Sequence, residues 1–288
     1  MASSPDWLWA AVAAVSWAAL DAVRKALARD VPSVVAVIWL SLGPATLFAA
    51  LAVSKGASVP PTSDYWLAAA GSVVLNSLAY VSFMEALARS PLSLTIPLLS
   101  LSPVLTVGAA LVAVGELPSP VQGFGIGLVV VGGLELQRPE EGGLRQIGRE
   151  PGAKFMLATA ILWSVAAALD KRALAHASVS FHAVVQTGGV GLLLVSLLVV
   201  RGRLRELSTI ARGWRPFLLA LGLTAVAVGS QLTAYRALEV SLVEALKRAT
   251  GVTVALAVGR LWFEEPLGPR KAVVAGAIAF GAVLVLTG

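Results

Sequence analysis

The chain is 288 residues long, 57% hydrophobic and only 13% charged, with a net charge of +6 and a mean hydropathy of +0.84. A soluble domain carries about 25% charged residues, so this chain cannot cover a water-facing surface and must use the bilayer as its solvent. It has no cysteine, which excludes disulfides, thiolate nucleophiles and cysteine-bound metals, and His176 and His182 are its only histidines, too few for a histidine metal cluster.

A helix needs about 20 apolar residues to cross the hydrocarbon core. Ten such runs follow one another: Trp7–Leu27, Ser33–Val53, Trp66–Leu87, Leu92–Val114, Pro120–Leu136, Lys154–Ala175, Val179–Val200, Arg215–Leu238, Leu242–Phe263 and Gly268–Leu286. Met1 to Asp6 holds no Lys or Arg, so the first run reads as a retained span and not a cleavable signal. Turn chemistry marks the breaks at Lys55-Gly56 to Pro60-Pro61, Gly115 to Pro120, Gly202 to Trp214 and Glu265-Pro266 to Pro269. Pro97 and Pro103 should kink the fourth span and free backbone carbonyls to line a cavity. Gly123, Gly127 and Gly132 in the fifth span, and Gly276 and Gly281 in the tenth, read as close-packing positions, with Gly123-x-x-x-Gly127 a weak small-residue motif.

The longest polar segment, residues 137–153, separates a first half, 1–136, from a second, 154–288. Each half holds five spans, and an odd number turns the second upside down. The expected fold is therefore all-α, with ten transmembrane helices in two inverted five-helix repeats and the substrate site between them. Matched residues support the repeat. Tyr80 to Glu116 and Tyr235 to Glu265 both start at Tyr, pass an Ala-Leu step and reach a Glu after an apolar helix. Lys25-Ala26-Leu27-Ala28 parallels Arg172-Ala173-Leu174-Ala175, and Trp17 and Trp163 precede them at similar spacing.

The ALARSPLSLTIPLLSLSPV run (Ala86–Val104), the Gly115-Glu116 step, their second-half counterparts and Trp-Ser or Ser-Trp near the start of each half carry a further signal. On these the chain resembles the drug/metabolite transporter superfamily, in particular its EamA-type members with ten helices. The resemblance covers nearly the whole chain. It implies a bundle in which four helices of each half surround a central cavity. It also implies alternating-access movement of small metabolites such as amino acids, nucleotide sugars and sugar phosphates.

Ionisable residues inside spans usually face a cavity or each other. Glu244, Lys247 and Arg248 stand at i, i+3 and i+4 in the ninth span, so one carboxylate meets two cations. A self-neutralising ion pair is the bland reading; a surplus cation that holds a substrate carboxylate or phosphate is the functional one. The plastid sugar-phosphate translocators look similar here, with a Lys-Arg pair in the ninth helix, but Glu244 shifts the expectation towards a zwitterion. Asp21 with Arg24 and Lys25, and Asp170 with Lys171 and Arg172, read as interfacial anchors. Glu85 and Arg89 read as a structural i, i+4 pair. Asn76, Gln186 and Gln231 lie deep in spans, and Asn76 and Gln231 precede Tyr80 and Tyr235 by four residues. The candidate cavity residues are thus Lys247, Arg248, Glu244, Trp17, Trp163, Tyr80, Tyr235, Asn76 and Gln231. Trp39 is also mid-span, whereas Trp7, Trp66 and Trp214 fit interfacial belts.

These features point to a secondary transporter that exports an amino acid or a related zwitterion or anion across the inner membrane. A lipid-linked sugar or sugar-phosphate translocator is the alternative, and an intramembrane enzyme a remote one, because no catalytic dyad or metal set occurs in the spans. No cofactor, nucleic acid or ATP is expected. The partners are a small-molecule substrate and the bilayer, with a proton as a candidate coupling ion at Glu244 or Asp21, in a monomer or weak homodimer. Lys and Arg collect in the first, third, fifth, seventh and ninth connections, leaving only Lys55, Lys171, Arg172, Arg236, Lys247 and Arg248 elsewhere. The positive-inside rule then puts both termini outside, whereas the resemblance implies termini inside.

Overall fold

The structure, a computed structural model, describes residues 4–27, 30–90, 96–136, 150–262 and 268–288. Glu265, Pro266, Ala28, residues 91–95 and most of the polar linker lie outside the described residues, as do the side chains of Lys25 and Pro97. Among the described residues ten α-helices follow in chain order: α1 (Ser4–Leu27), α2 (Ser33–Ser54), α3 (Ser63–Arg89), α4 (Ser102–Val114), α5 (Pro120–Leu136), α6 (Ala153–Leu174), α7 (Val179–Val200), α8 (Trp214–Ala237), α9 (Val240–Trp262) and α10 (Pro269–Thr287). No strand occurs among the described residues. Seven of these helices are long and apolar enough to cross a membrane. Helices α4 and α5 are shorter, and α9 has the length but carries Glu244, Lys247, Arg248 and Arg260.

The packing repeats itself. Helix α3 runs along α6 as α1 runs along α8, and α4 meets α6 as α9 meets α1. The pairs α2 with α7 and α5 with α10 are their own counterparts. Exchanging each helix with the one five places later maps these contacts onto each other, as two repeats about a pseudo-two-fold axis require. Every major pair also joins one half to the other, so neither half is a self-contained body. Leu67, Val112, Phe124, Val131, Val200 and Val273 point outward, as lipid-facing side chains should.

The fourth span differs from expectation. Among its described residues a 3₁₀ turn, Ile96–Leu101, leads into α4, and Pro103 sits in the first turn of that helix, where its missing N–H leaves no gap. Two of the span's carbonyls are taken up within the protein. Ser102 Oγ donates to Leu99 O (2.7 Å), and Ser102 O accepts from Thr106 and from Ser164 of α6.

The glycine reading holds at Gly132 and Gly281 and needs correction at the other three positions. A Cβ on Gly123, Gly127 or Gly276 would meet nothing. The close approach lies between α5 and α10 at Gly125 and Gly281, where a Cβ on either would fall within 2.7 Å of the other's carbonyl oxygen. Gly132, packed against Ile278, extends the same seam.

Candidate functional site

The buried charge of α9 resolves into a defined set. Lys247 Nζ lies 2.6 Å from Glu244 Oε1 and 2.6 Å from Gln231 Oε1 of α8. The ammonium also sits 5.3 Å from the ring centroid of Trp17 on α1, within cation–π range. Tyr235 of α8, fully buried, donates its hydroxyl hydrogen to the same Glu244 oxygen. Three helices thus converge on one ion pair, and five of the nine candidates (Lys247, Glu244, Gln231, Tyr235 and Trp17) are brought together.

The sequence left open which cation Glu244 neutralises. The structure assigns it to Lys247. Arg248, about 100° further round the helix, reaches the other way, towards Ser102 Oγ at the start of α4 (3.4 Å). Its Nε is buried with no hydrogen-bond partner, and it makes no ion pair among the described residues. Because α4 belongs to the first half and α9 to the second, Arg248 stands at the seam between the repeats.

The remaining candidates form a second group on α3 and α6. Tyr80 and Trp163 meet edge-to-face at 5.6 Å, and Phe83 packs tilted against the same indole at 5.7 Å. Asn76 does not reach the Lys247 set; its amide donates to Ser72 O and Ser72 Oγ, both at 3.1 Å. The pairs Trp17/Tyr235 and Trp163/Tyr80 occupy corresponding helices of the two repeats, and among the described residues the first adjoins charge.

Asp170 and Lys171 are not interfacial anchors. Lys171 forms an ion pair with Glu116 (2.5 Å) and donates to Leu238 O (2.6 Å), while Glu116 accepts from Val240 N–H. This ties the end of the fourth span to the α6 end and to the α8–α9 turn. Glu239 in that turn has its carboxyl pushed up by burial and then by the Glu116 carboxylate nearby. Asp170 is 2% exposed and accepts from Ser72, from Gln186 (2.5 Å) and, through Oδ1, from His182 Nε2 (3.1 Å). Sequence reasoning gave Gln186 an interhelical hydrogen bond, which it makes, but missed Asp170, His182 and Ser72 as a group. A buried histidine is the signal that could have found it. Glu85 and Arg89 do form their i, i+4 pair, at 3.0 Å, on an exposed face. Among the described residues no group of three metal-ligating side chains occurs.

The EamA-like transporter family profile matches residues 6–134 and 150–287, one stretch in each half. The chain belongs to the EamA-like transporter family. This multi-pass transporter fold is also seen in a solved structure described only as a crystal structure of protein. That structure is 19% identical, has a TM-score of 0.77, and matches over 99% of this chain and 97% of its own. No curated protein matches.

Proposed function

We propose that this EamA-family transporter moves an amino acid, or a related small zwitterion or anion, by alternating access between its two repeats, with export across the inner membrane as its direction. The observation that carries the reading is the division of charge on α9. Glu244 is used up by Lys247, and Arg248 extends to the other repeat with donors to spare. An arginine there stays charged and offers a planar fork that suits a carboxylate. Gln231 and Trp17 supply polar and aromatic surface on the Lys247 side of α9, where the buried Tyr235 holds Glu244, and Tyr80, Trp163 and Asn76 supply the matching surface from α3 and α6. With one carboxylate against two cations the set keeps a single net positive charge, which suits one substrate carboxylate better than a dianionic phosphate. The distribution of Lys and Arg supports a cytoplasmic face at the α2, α4, α6, α8 and α10 starts, with both termini outside.

The test is counterflow in proteoliposomes with a panel of radiolabelled amino acids and a sugar phosphate, beside a fluorescent lipid-flip assay in the same vesicles. Uptake of one or more amino acids without lipid flip supports the reading. Sugar-phosphate exchange or lipid flip without amino-acid uptake overturns it in favour of a sugar-phosphate or lipid-linked sugar translocator.

A further inference from the structure

The most buried ionisable pair in the described residues lies outside the Lys247 set. Asp170 on α6 and His182 on α7 are 2% and 0% exposed, and their side chains are 3.1 Å apart. Both belong to the second repeat. The first repeat completes the group through Ser72, which donates to Asp170 Oδ1, and through Tyr65, whose hydroxyl lies 3.5 Å from His182 Nδ1. Asn76 extends the chain by donating to Ser72 Oγ. Five side chains therefore form a continuous hydrogen-bonded line: Tyr65, His182, Asp170, Ser72, Asn76. It runs through apolar packing along the α3–α6–α7 seam.

The charge inventory around this line is short. Helices α2 and α4, packed against α7 and α6, carry no ionisable residue. On α3, Asp64 precedes Tyr65 at the helix start, and Glu85 pairs with Arg89 at the far end. On α6, Lys154 is at the opposite end, Arg172 points outward and Lys171 turns to Glu116. Helix α7 carries no other ionisable residue. From α8 comes Tyr235, and beyond it on α9 come Glu244, Lys247 and Arg248. No lysine or arginine pairs with Asp170 among the described residues, and its remaining partners, Ser72 and Gln186, are neutral.

This leaves Asp170 and His182 to settle their charge between themselves. With a neutral imidazole the pair carries one negative charge in a membrane span, which is costly unless offset. One proton added to either member makes the pair neutral, and the two sites share that proton as a unit. The flanking groups accommodate both states. His182 Nε2–H can donate to Asp170 throughout. Nδ1 can accept from the Tyr65 hydroxyl when it is bare and donate to the same oxygen when it is protonated, because a phenol serves as both donor and acceptor. A lysine or a backbone N–H at that position would have fixed one state; tyrosine does not. Asp170 is also within electrostatic range of Tyr235, the residue bonded to Glu244. Its charge is thus felt at the edge of the proposed substrate site.

We propose that Asp170 and His182 form a buried proton-binding site at the seam between the repeats, and that the proton they exchange is the coupling ion of the transport cycle. The second clause rests on the transporter reading; the first does not. The proton enters on an imidazole nitrogen or carboxylate oxygen and leaves by the same atoms, with no bond other than to hydrogen made or broken. This moves the expected proton carrier from Glu244 or Asp21, since Glu244 is committed to Lys247 and the Asp21 side chain is 72% exposed.

The experiment uses the two histidines. His176→Gln removes the exposed one, leaving His182 as the only source of imidazole signals in the full-length protein, labelled with ¹⁵N-histidine in detergent or nanodiscs. Between pH 8.5 and 5, the His182 pattern should convert from a neutral to a protonated imidazole, and Asp170→Asn should move that transition. An imidazole pattern unchanged over the whole range overturns the proposal, and this titration decides the matter even if the Asp170 variant fails to fold. Pyranine-loaded vesicles test the coupling. Addition of a transported amino acid should move protons, and His182→Gln should cut that movement by about tenfold or more. Uptake with no proton movement in the wild-type protein overturns the coupling. Absence of any amino-acid uptake would count against the substrate reading, while the His182 titration would still stand or fall separately.

Discussion

Lys171 holds three pieces together, and its removal has a calculable cost. Its ammonium pairs with Glu116 and donates to Leu238 O, and both side chains of the pair are 17% exposed. Lys171→Met strands the Glu116 carboxylate beside Glu239. Breaking a buried pair by removing one partner costs about 3–5 kcal/mol; partial exposure argues for the lower end, about 3 kcal/mol. At the roughly 2 °C per kcal/mol expected for a chain of this size, the melting temperature should fall by about 6 °C. Glu116→Gln should cost less, because Glu239, whose Oε2 is buried without a hydrogen-bond partner, can take over the ammonium. The double variant Glu116→Gln/Lys171→Met removes both charges and should recover all but about 1 kcal/mol, the share of the lost Leu238 carbonyl bond. The assay is a double-variant cycle on thermal unfolding in detergent. Effects that add to within about 0.5 kcal/mol would refute the coupling.

Two further outcomes follow from the same geometry. Gly125→Ala should destabilise by about 1–3 kcal/mol through overpacking against the Gly281 carbonyl, whereas Gly127→Ala, which meets nothing, should leave the melting temperature unchanged; equal effects would refute the α5–α10 seam. Glu239 has a raised carboxyl pKa in the folded protein, so folding favours its protonated form, and its contribution is present at low pH and lost as pH rises past the ordinary glutamate range. Glu239→Gln should therefore raise the melting temperature at pH 7 and leave it unchanged near pH 4. A loss at pH 7 would contradict the assignment.

Span positions were legible because apolar length and Pro/Gly breaks are local properties. Val179–Val200 and Pro120–Leu136 come out with the same ends in sequence and structure. The repeat was legible for the same reason, through Tyr80 and Tyr235 and an odd span count. The change from 3₁₀ to α within the fourth span was not legible, because hydropathy marks an apolar run and not its helical type. The glycine seam was legible at Gly132 and Gly281 but not at Gly125, because the i, i+4 motif ignores which face meets a neighbour: Gly125 sits between the two residues of the motif. Asp170 was read as an anchor from its neighbours Lys171 and Arg172. Its burial depends on Ser72 of α3 and His182 of α7, which no local pattern brings together. Likewise the spacing of Glu244, Lys247 and Arg248 fixed their proximity, but the choice of Lys247 depended on Gln231 and Trp17 from other helices.

The most direct measurement of the substrate-site claim is amino-acid counterflow by Arg248→Ala, Arg248→Lys and Glu244→Gln proteins of matched folding, checked by melting temperature. If Arg248 holds the substrate carboxylate, Arg248→Ala should lower kcat/KM by about 10²-fold or more, the worth of a charge-assisted hydrogen bond of about 3 kcal/mol. Arg248→Lys should restore only part of it, having lost the planar fork. Glu244→Gln should shift selectivity towards anions. Contradiction would come from an Arg248→Ala protein that transports at the wild-type rate and differs only in melting temperature, for then Arg248 would be a structural bridge to Ser102 and the substrate would bind elsewhere.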